Sequence, residues 1–282
     1  RGIVPPRGRP RLSTGGLSSM MATEPRQTTG LSIERLGSLC HDGLVAVHGE
    51  ATAEVRGISC DSRDIRRGDI FCCVNGARHD GHTFAGDAVA AGARALLVDR
   101  PLPAIDPGIP QIVVRDVRLA MGRLAAAIWG MPSTHLNLVG VTGTNGKTTT
   151  TALIASIMSA AGWKSEVMGT LTGRFTTPEA PVLQETLAQL VDRGVQGVAM
   201  EVSSHALALH RVPARRSRPG VFTNLTRDHL DFMERWTRIS KPRHRYSPRS
   251  SHRSRWSTSM IRTASDLPPP VRSESSRSRV TT

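Results

Sequence analysis

An α/β fold is what this sequence predicts, with a small mixed α/β N-terminal domain followed by a parallel-sheet domain. Three observations carry that prediction. Apolar stretches of strand length alternate with stretches of helical periodicity between residues 31 and 224, the pattern of a parallel sheet covered on both faces. A glycine-rich turn, Thr142-Gly-Thr-Asn-Gly-Lys-Thr-Thr149, joins one of the strands to a helix. Polar clusters recur at strand ends, where a parallel sheet places its ligands.

Residues 1–30 hold five Arg and one acidic residue among Pro, Gly, Ser and Thr and read as a disordered leader. Met20-Met21 stands just before the organised sequence, so translation is expected to begin there, with residues 1–19 upstream of it. The N-terminal domain is expected over residues 31–133. Leu31 to Leu39 is a short helix candidate. Val55 to Cys60, Asp69 to Val74 and Ala95 to Val98 are strand candidates. A helix of about Thr83 to Ala91, closed by Gly92, lies between the last two. Asp61-Ser62-Arg63 and Asn75 to His82 form polar clusters at strand ends, for which turn chemistry is the plain alternative. Ile112 to Val114 is a further strand. Asp116 is placed to N-cap a helix with apolar positions Val117, Ala120, Met121, Leu124 and Ile128, ending at Trp129-Gly-Met-Pro-Ser133.

The second domain is expected over residues 134–233. Leu136 to Val141 reads as a buried strand, and Thr148 to Ala161 as a helix apolar on most sides and therefore largely buried. Val167 to Leu171 is a strand, Thr172 to Pro178 a polar turn. Val182, Leu183, Thr186, Leu187, Leu190 and Val191 recur at helical spacing up to Gly194. Val198 to Val202 is a strand that delivers Glu201 at its carboxyl end. Gly220 to Asn224 is another, leading into Leu225-Thr-Arg-Asp-His229-Leu-Asp231.

Strand, glycine loop, lysine, hydroxyl and helix form the P-loop ATPase arrangement for a nucleoside triphosphate. Gly143, Thr144, Asn145 and Gly146 supply backbone N–H groups to phosphate oxygens, and the helix N-terminus adds partial positive charge. Lys147 reaches the outer phosphates, Thr148 offers a hydroxyl to Mg²⁺, and Thr149 completes the loop. The spacing is a variant. The common pattern has a glycine five residues before the one preceding Lys, whereas Val141 stands there and the glycine is Gly140. A glycine-rich turn with a solvated lysine would not bring these features together in this order.

Composition removes other classes. No apolar run approaches the about 20 residues that span a bilayer, and the basic N-terminus lacks the apolar core of a signal peptide. A cytoplasmic protein without a membrane partner is therefore expected. The net charge of +14 is concentrated at the ends: +4 in residues 1–30 and +9 in residues 234–282, leaving about +1 for the body. Nucleic acid is not expected as a partner. Cys40, Cys60, Cys72 and Cys73 form no C-x-x-C pair and read as buried thiols, with Cys72 and Cys73 on opposite faces of their strand.

Four motifs together closely resemble the Mur ligases, the ATP-dependent amide-forming enzymes of peptidoglycan synthesis. They are Thr142 to Thr149, Thr176-Thr-Pro-Glu179, Met200-Glu-Val-Ser-Ser-His-Ala-Leu207 and Thr223-Asn-Leu-Thr-Arg-Asp-His-Leu-Asp231. The second and third resemble the branch that adds the third residue to UDP-N-acetylmuramoyl-L-alanyl-D-glutamate. A folylpolyglutamate synthase or another Mur ligase, the nearest competitors in the superfamily, lack that combination. The resemblance covers roughly residues 31–232. It implies ATP and Mg²⁺, an acyl phosphate on the substrate carboxylate, and attack on it by the amine of a free amino acid. meso-Diaminopimelate is the commoner amine. It further implies Lys147 on the outer phosphates, Thr148 on one Mg²⁺, and Glu201 with His229 on a second. The UDP-sugar contacts it implies are Ser62 and Arg63 on the uridine-diphosphate side, and Thr176, Thr177, Ser203 and Arg211 toward the diphosphate and muramoyl peptide. A monomer is expected.

The resemblance stops after Phe232. Met233 stands where the family has a His, and no helix with the family's Ala-Lys pair follows; Lys241 precedes Pro242. Residues 234–282 hold twelve Ser and eleven Arg. They read as an out-of-frame tail rather than a basic segment for acidic partners, because the switch falls in mid-domain and not at a boundary. The ATPase domain is therefore expected to be incomplete and the family's C-terminal Rossmann-like domain missing. Ligase activity is not expected of the chain as written, which leaves a non-catalytic ATP- or UDP-sugar-binding fragment as the alternative.

Overall fold

The computed structural model describes residues 30–76, 79–173, 175–212 and 220–224. The leader before residue 30, the His229 segment and the tail lie outside the described residues.

The first domain is built on a five-stranded sheet of order β2-β7-β6-β5-β4. Its strands are β2 (Leu44–His48), β4 (Gly57–Ser59), β5 (Asp69–Cys72), β6 (Ala95–Val98) and β7 (Gln111–Val114). β4, β5, β6 and β7 run parallel, and β2 closes one edge antiparallel to β7. The three inner strands β5, β6 and β7 are buried at every position, which is why they read as continuous apolar runs instead of alternating ones. Helices α1 (Ile33–Leu39) and α3 (Val117–Ile128) cover one face with Ile33, Leu36, Met121 and Leu124. Helix α2 (Ala85–Ala90) covers the other with Ala85 and Ala88. Cys72 belongs to the first cluster and Cys73 to the second, as alternation along a strand requires. Asp116 caps α3, its carboxylate accepting from Leu119 N–H at 2.9 Å.

Local departures from the sequence reading have simple causes. Leu31–Ser32 is not helix but a short strand, β1, paired antiparallel with β3 (Glu54–Val55), and Ser32 caps α1. The run from Val55 breaks at Arg56, whose N–H turns to Gly68 O, so β3 and β4 are separate. The start of the expected helix at Thr83 is instead a 3₁₀ turn, Gly81–Phe84, capped by Asp80.

The second sheet has the order β11-β8-β10-β9, all parallel: β8 (Asn137–Thr142), β9 (Ser165–Met168), β10 (Gly197–Glu201) and β11 (Gly220–Phe222). Helix α4 (Lys147–Ala160) follows the glycine loop, and α5 (Ala180–Asp192) connects β9 to β10. Two expectations fail here. α4 is not largely buried: Thr151, Ala155 and Met158 face the sheet, but Leu153 and Ile157 are 59% and 69% exposed, because no described element covers the outer side. The strand expected to reach Leu171 ends at Met168, and Leu171 is 80% exposed in a turn.

α5 is shared between the two domains. Leu183, Leu187 and Leu190 pack with Leu136, Val198 and Met200 of the second sheet. Ala180 and Ala188 enter the core formed by α3 and the first sheet. Small side chains on that face let α3 and α5 approach closely.

Candidate active site

β8 lies between β11 and β10, so the loop leaving its carboxyl end is flanked by the tips of both. Gly143 and Gly146 hold φ of 137° and 83°, values open to glycine. A Cβ on Gly143 would stand 2.2 Å from Thr223 Oγ1, so this glycine is required by space as well as by dihedral. The first helical N–H groups, those of Lys147, Thr148 and Thr149, have no acceptor among the described residues, and Gly146 provides no side-chain cap. They form an open anion-binding end. Lys147 folds back along the loop, its Nζ donating to Gly143 O at 2.7 Å and Thr144 O at 2.9 Å. One of the three ammonium N–H donors remains for a phosphate oxygen.

The tip after β11 braces this loop, a contact the motif reading did not identify. Thr144 N–H donates to Asn224 O at 3.0 Å, and Asn145 N–H to Asn224 Oδ1 at 3.0 Å. Thr223 Oγ1 donates to Asn145 O at 2.6 Å. The backbone N–H groups of Thr144 and Asn145, read as phosphate donors, are thus engaged by Asn224.

Glu201 arrives from the other flank and is 2% exposed. Its Oε1 accepts from Thr148 Oγ1 at 3.1 Å and Thr170 N–H at 3.1 Å, and its Oε2 from Thr170 Oγ1 at 3.3 Å. Gly169 lies against it: a Cβ there would be 2.2 Å from Glu201 Oε1. The nucleotide-loop hydroxyl and the acid are therefore brought together as read from sequence, whereas Gly169 and Thr170, which hold the acid in place, were not singled out. Hard oxygen donors so placed suit Mg²⁺ with water and phosphate completing its shell. His229, the third metal ligand expected, lies outside the described residues, and among those described no group of three His, Cys, Asp or Glu side chains is placed to hold a metal.

The Thr176-Thr-Pro-Glu179 turn sits on the same acid. Thr176 Oγ1 is 3.0 Å from Thr170 Oγ1. Thr177 is 1% exposed, its hydroxyl donating to Glu201 O at 2.9 Å and accepting from Ser203 N–H at 3.1 Å. In this structure the side chain ties its turn to the backbone that leaves β10. Ser203 caps the short helix α6 (Ser204–Ala208) through Ala206 N–H. Arg211 donates to Thr177 O at 3.0 Å and pairs with Glu179 at 2.8 Å. Arg118 of α3 pairs with the other oxygen of Glu179 at 3.2 Å.

The first-domain candidates follow β4. Asp61 caps the turn Ser62–Asp64, and Arg63 is turned back onto Asp61, its Nη2 at 2.6 Å from the carboxylate, with 84% of its side chain exposed. Cys60, just before them, feels both Glu179 and Arg118, so this loop and the Thr-Thr-Pro-Glu turn share one region; burial pushes its thiol up to about 11.

Residues 54–129 match the Mur ligase family catalytic domain, and residues 141–245 the Mur ligase middle domain. The chain belongs to the Mur ligase family. The second match runs past Phe232, where the motif pattern was read to stop. A UDP-N-acetylmuramoyl-L-alanyl-D-glutamate–2,6-diaminopimelate ligase of Geobacter sulfurreducens is 47% identical over 197 residues, covering 67% of this chain and 38% of that protein. The ligase of the same name from Geobacillus kaustophilus is 46% identical over 195 residues, covering 66% and 39%. A solved structure of a ligase with that name superposes with a TM-score of 0.60 at 30% identity, covering 72% of this chain and 42% of that one. This Mur ligase chain spans about two fifths of the length of the curated relatives it matches. No helix among its described residues is long and apolar enough to cross a membrane.

Proposed function

We propose that the chain carries the nucleotide- and UDP-sugar-binding parts of an ATP-dependent acid–amino-acid ligase of peptidoglycan synthesis. The substrate is UDP-N-acetylmuramoyl-L-alanyl-D-glutamate and the added residue is meso-diaminopimelate. The names of the relatives support the substrate pair, and the observation that carries the reading is the Thr148–Glu201 contact at the mouth of the open helix end. A phosphate loop alone binds nucleotide. A buried acid joined to the loop hydroxyl and, through Thr170, to Thr176 of a second turn, with Thr177 of that turn on its backbone carbonyl, supports transfer to a bound acceptor.

In this reading the substrate's glutamyl carboxylate attacks the γ-phosphorus, the bond to the β,γ-bridging oxygen breaks, and ADP leaves. The amine then attacks the acyl carbon and inorganic phosphate departs. Such transfer depends on positioning and charge neutralisation. Lys147 and the N–H groups of Lys147, Thr148 and Thr149 hold the phosphates. Gly143, Thr144, Asn145 and Gly146 shape the loop around them. Thr148 would hold one Mg²⁺ and Glu201 with His229 would help hold a second, and the metal would supply charge neutralisation for the transfer. Thr176, Ser203 and Arg211 face the muramoyl-peptide side, and Ser62 and Arg63 the uridine-diphosphate end. The region works away from any membrane, in the cytoplasm, and as a monomer.

Isothermal titration of the full chain with Mg·ADP and with UDP-N-acetylmuramoyl-L-alanyl-D-glutamate tests this. Both are expected to bind, and Lys147→Ala is expected to abolish only the nucleotide heat. A folded wild-type chain that binds Mg·ADP but not the UDP-muramoyl dipeptide overturns the substrate assignment.

A further inference from the structure

The Thr-Thr-Pro-Glu turn ends in a residue with no role so far. Glu179 is the N-cap position of α5, yet its side chain makes no capping bond. Its two oxygens are divided instead: Oε2 to Arg118 at 3.2 Å, on the first domain's α3, and Oε1 to Arg211 at 2.8 Å, beyond β10. The three side chains are only 19–26% exposed. Arg211 is held on a second side by Thr177 O, and its Nε is buried without an acceptor among the described residues. Two guanidinium groups on one carboxylate leave a net charge of +1 at a partly desolvated junction of the two domains. Without the carboxylate, two like charges at this spacing repel and separate.

We propose that Glu179 is a positioning residue for the anionic part of the nucleotide-sugar substrate. It holds Arg118 and Arg211, one from each domain, so that their outward N–H donors face a single phosphate or carboxylate group. Guanidinium donors read such anions by geometry, so fixing their orientation before binding raises affinity. Arg118 thereby becomes a substrate-binding residue from the first domain, alongside Arg211. The inference rests on the UDP-muramoyl dipeptide reading above.

The test compares wild type, Glu179→Gln and Arg118→Met as full chains, by titration with the UDP-muramoyl dipeptide and with Mg·ADP and by thermal denaturation. Glu179→Gln keeps the shape and removes the charge. The expected result is at least a tenfold loss of dipeptide affinity in each variant, with Mg·ADP affinity within twofold of wild type showing that each variant is still folded, whatever fall in Tm accompanies the loss of the ion pair. A Glu179→Gln chain that binds the dipeptide as wild type does, with only Tm lowered, shows a structural ion pair and overturns the proposal. One that binds it more tightly shows a carboxylate competing with the substrate, which also overturns it. If wild type itself binds no dipeptide, the substrate reading fails first and takes this inference with it.

Discussion

Gly169→Ala separates the acid's position from its mere presence. Gly169 follows β9 and is not in the left-handed region, so alanine adds little backbone strain; space alone decides. The new Cβ would lie 2.2 Å from Glu201 Oε1, 2.6 Å from Cδ and 2.7 Å from Cγ. Relief to an ordinary contact near 3.4 Å moves the carboxylate by about 1.2 Å. The 3.1 Å contacts to Thr148 Oγ1 and Thr170 N–H then exceed hydrogen-bonding distance. Hydrogen bonds to a charged group contribute about 1.5–3 kcal/mol each. Losing the alignment with Thr148 alone weakens Mg·nucleotide binding by at least about tenfold, since 1.4 kcal/mol is a factor of ten. Overpacking costs about 1–3 kcal/mol of stability, since Cδ and Cγ must move with the carboxylate. Titration with ADP with and without Mg²⁺, paired with urea denaturation, reads both quantities. The loss should appear only with Mg²⁺, and Gly169→Ala in a Glu201→Gln background should add little, because both act on one contact. A folded Gly169→Ala chain that binds Mg·ADP as wild type does refutes the placement of Glu201 as a metal-side ligand.

Asn224→Ala removes the brace on Asn145, and nucleotide affinity is expected to fall about five- to tenfold while dipeptide binding is unchanged, as measured by titration. The Asp80 carboxyl is held well below the usual range by the backbone N–H of His82, then by the His82 ring and Arg100. A depressed native value adds stability above the unfolded-state value and loses it as pH falls below about 4. Asp80→Asn should therefore flatten the acid limb of stability below pH 4, and an unchanged limb in urea melts between pH 2 and 5 would refute it. Burial pushes the Cys40 and Cys60 thiols up to about 11 and Cys73 to about 12, and raises Cys72 well above the usual thiol value. At pH 8 the thiolate fraction is about one in a thousand or less, so Ellman's reagent should react slowly with the native chain and fully after unfolding.

What the sequence made legible was local. Gly143, Gly146, Lys147 and Thr148 sit within one turn, and their order states their chemistry before any fold is known. Glu201 was legible because an apolar run carried it to a strand end. The brace from Asn224 to Asn145 spans 79 residues, and the pairing of Arg118 with Glu179 spans 61; no period or spacing encodes either. β2 was missed because Leu44–His48 is an edge strand with partial burial on both faces and no clean alternation. The burial of α4 was overstated because apolar side chains on all sides say what a helix can pack against, not what is there. Thr177 shows the same limit within a motif: its type suggested a ligand contact, and nothing in the spacing gave its bonds to Glu201 O and Ser203 N–H.

The carboxylate of Glu201 joins these strands of argument. It is nearly inaccessible, yet its partners among the described residues are neutral donors: a threonine hydroxyl from the loop, and an N–H and a hydroxyl from Thr170. A buried carboxylate without a cation is costly to a fold. If its role were structural, a neutral side chain would accept or donate the same bonds at lower cost. If its role is to meet a divalent cation brought in with the nucleotide, the cost is borne only in the empty state and is offset on binding. The arrangement of Gly169 and Thr170 supports the second account, since both keep the acid from turning away to solvent. Thr177 holds its backbone from behind, and Thr148 presents the loop's own oxygen beside it. The acid is thus held by Thr148, Thr170 and the Thr177 contact to its backbone, with Thr148 as its neighbour toward the helix N-terminus, where the proposed reading would bring the phosphates and their cation.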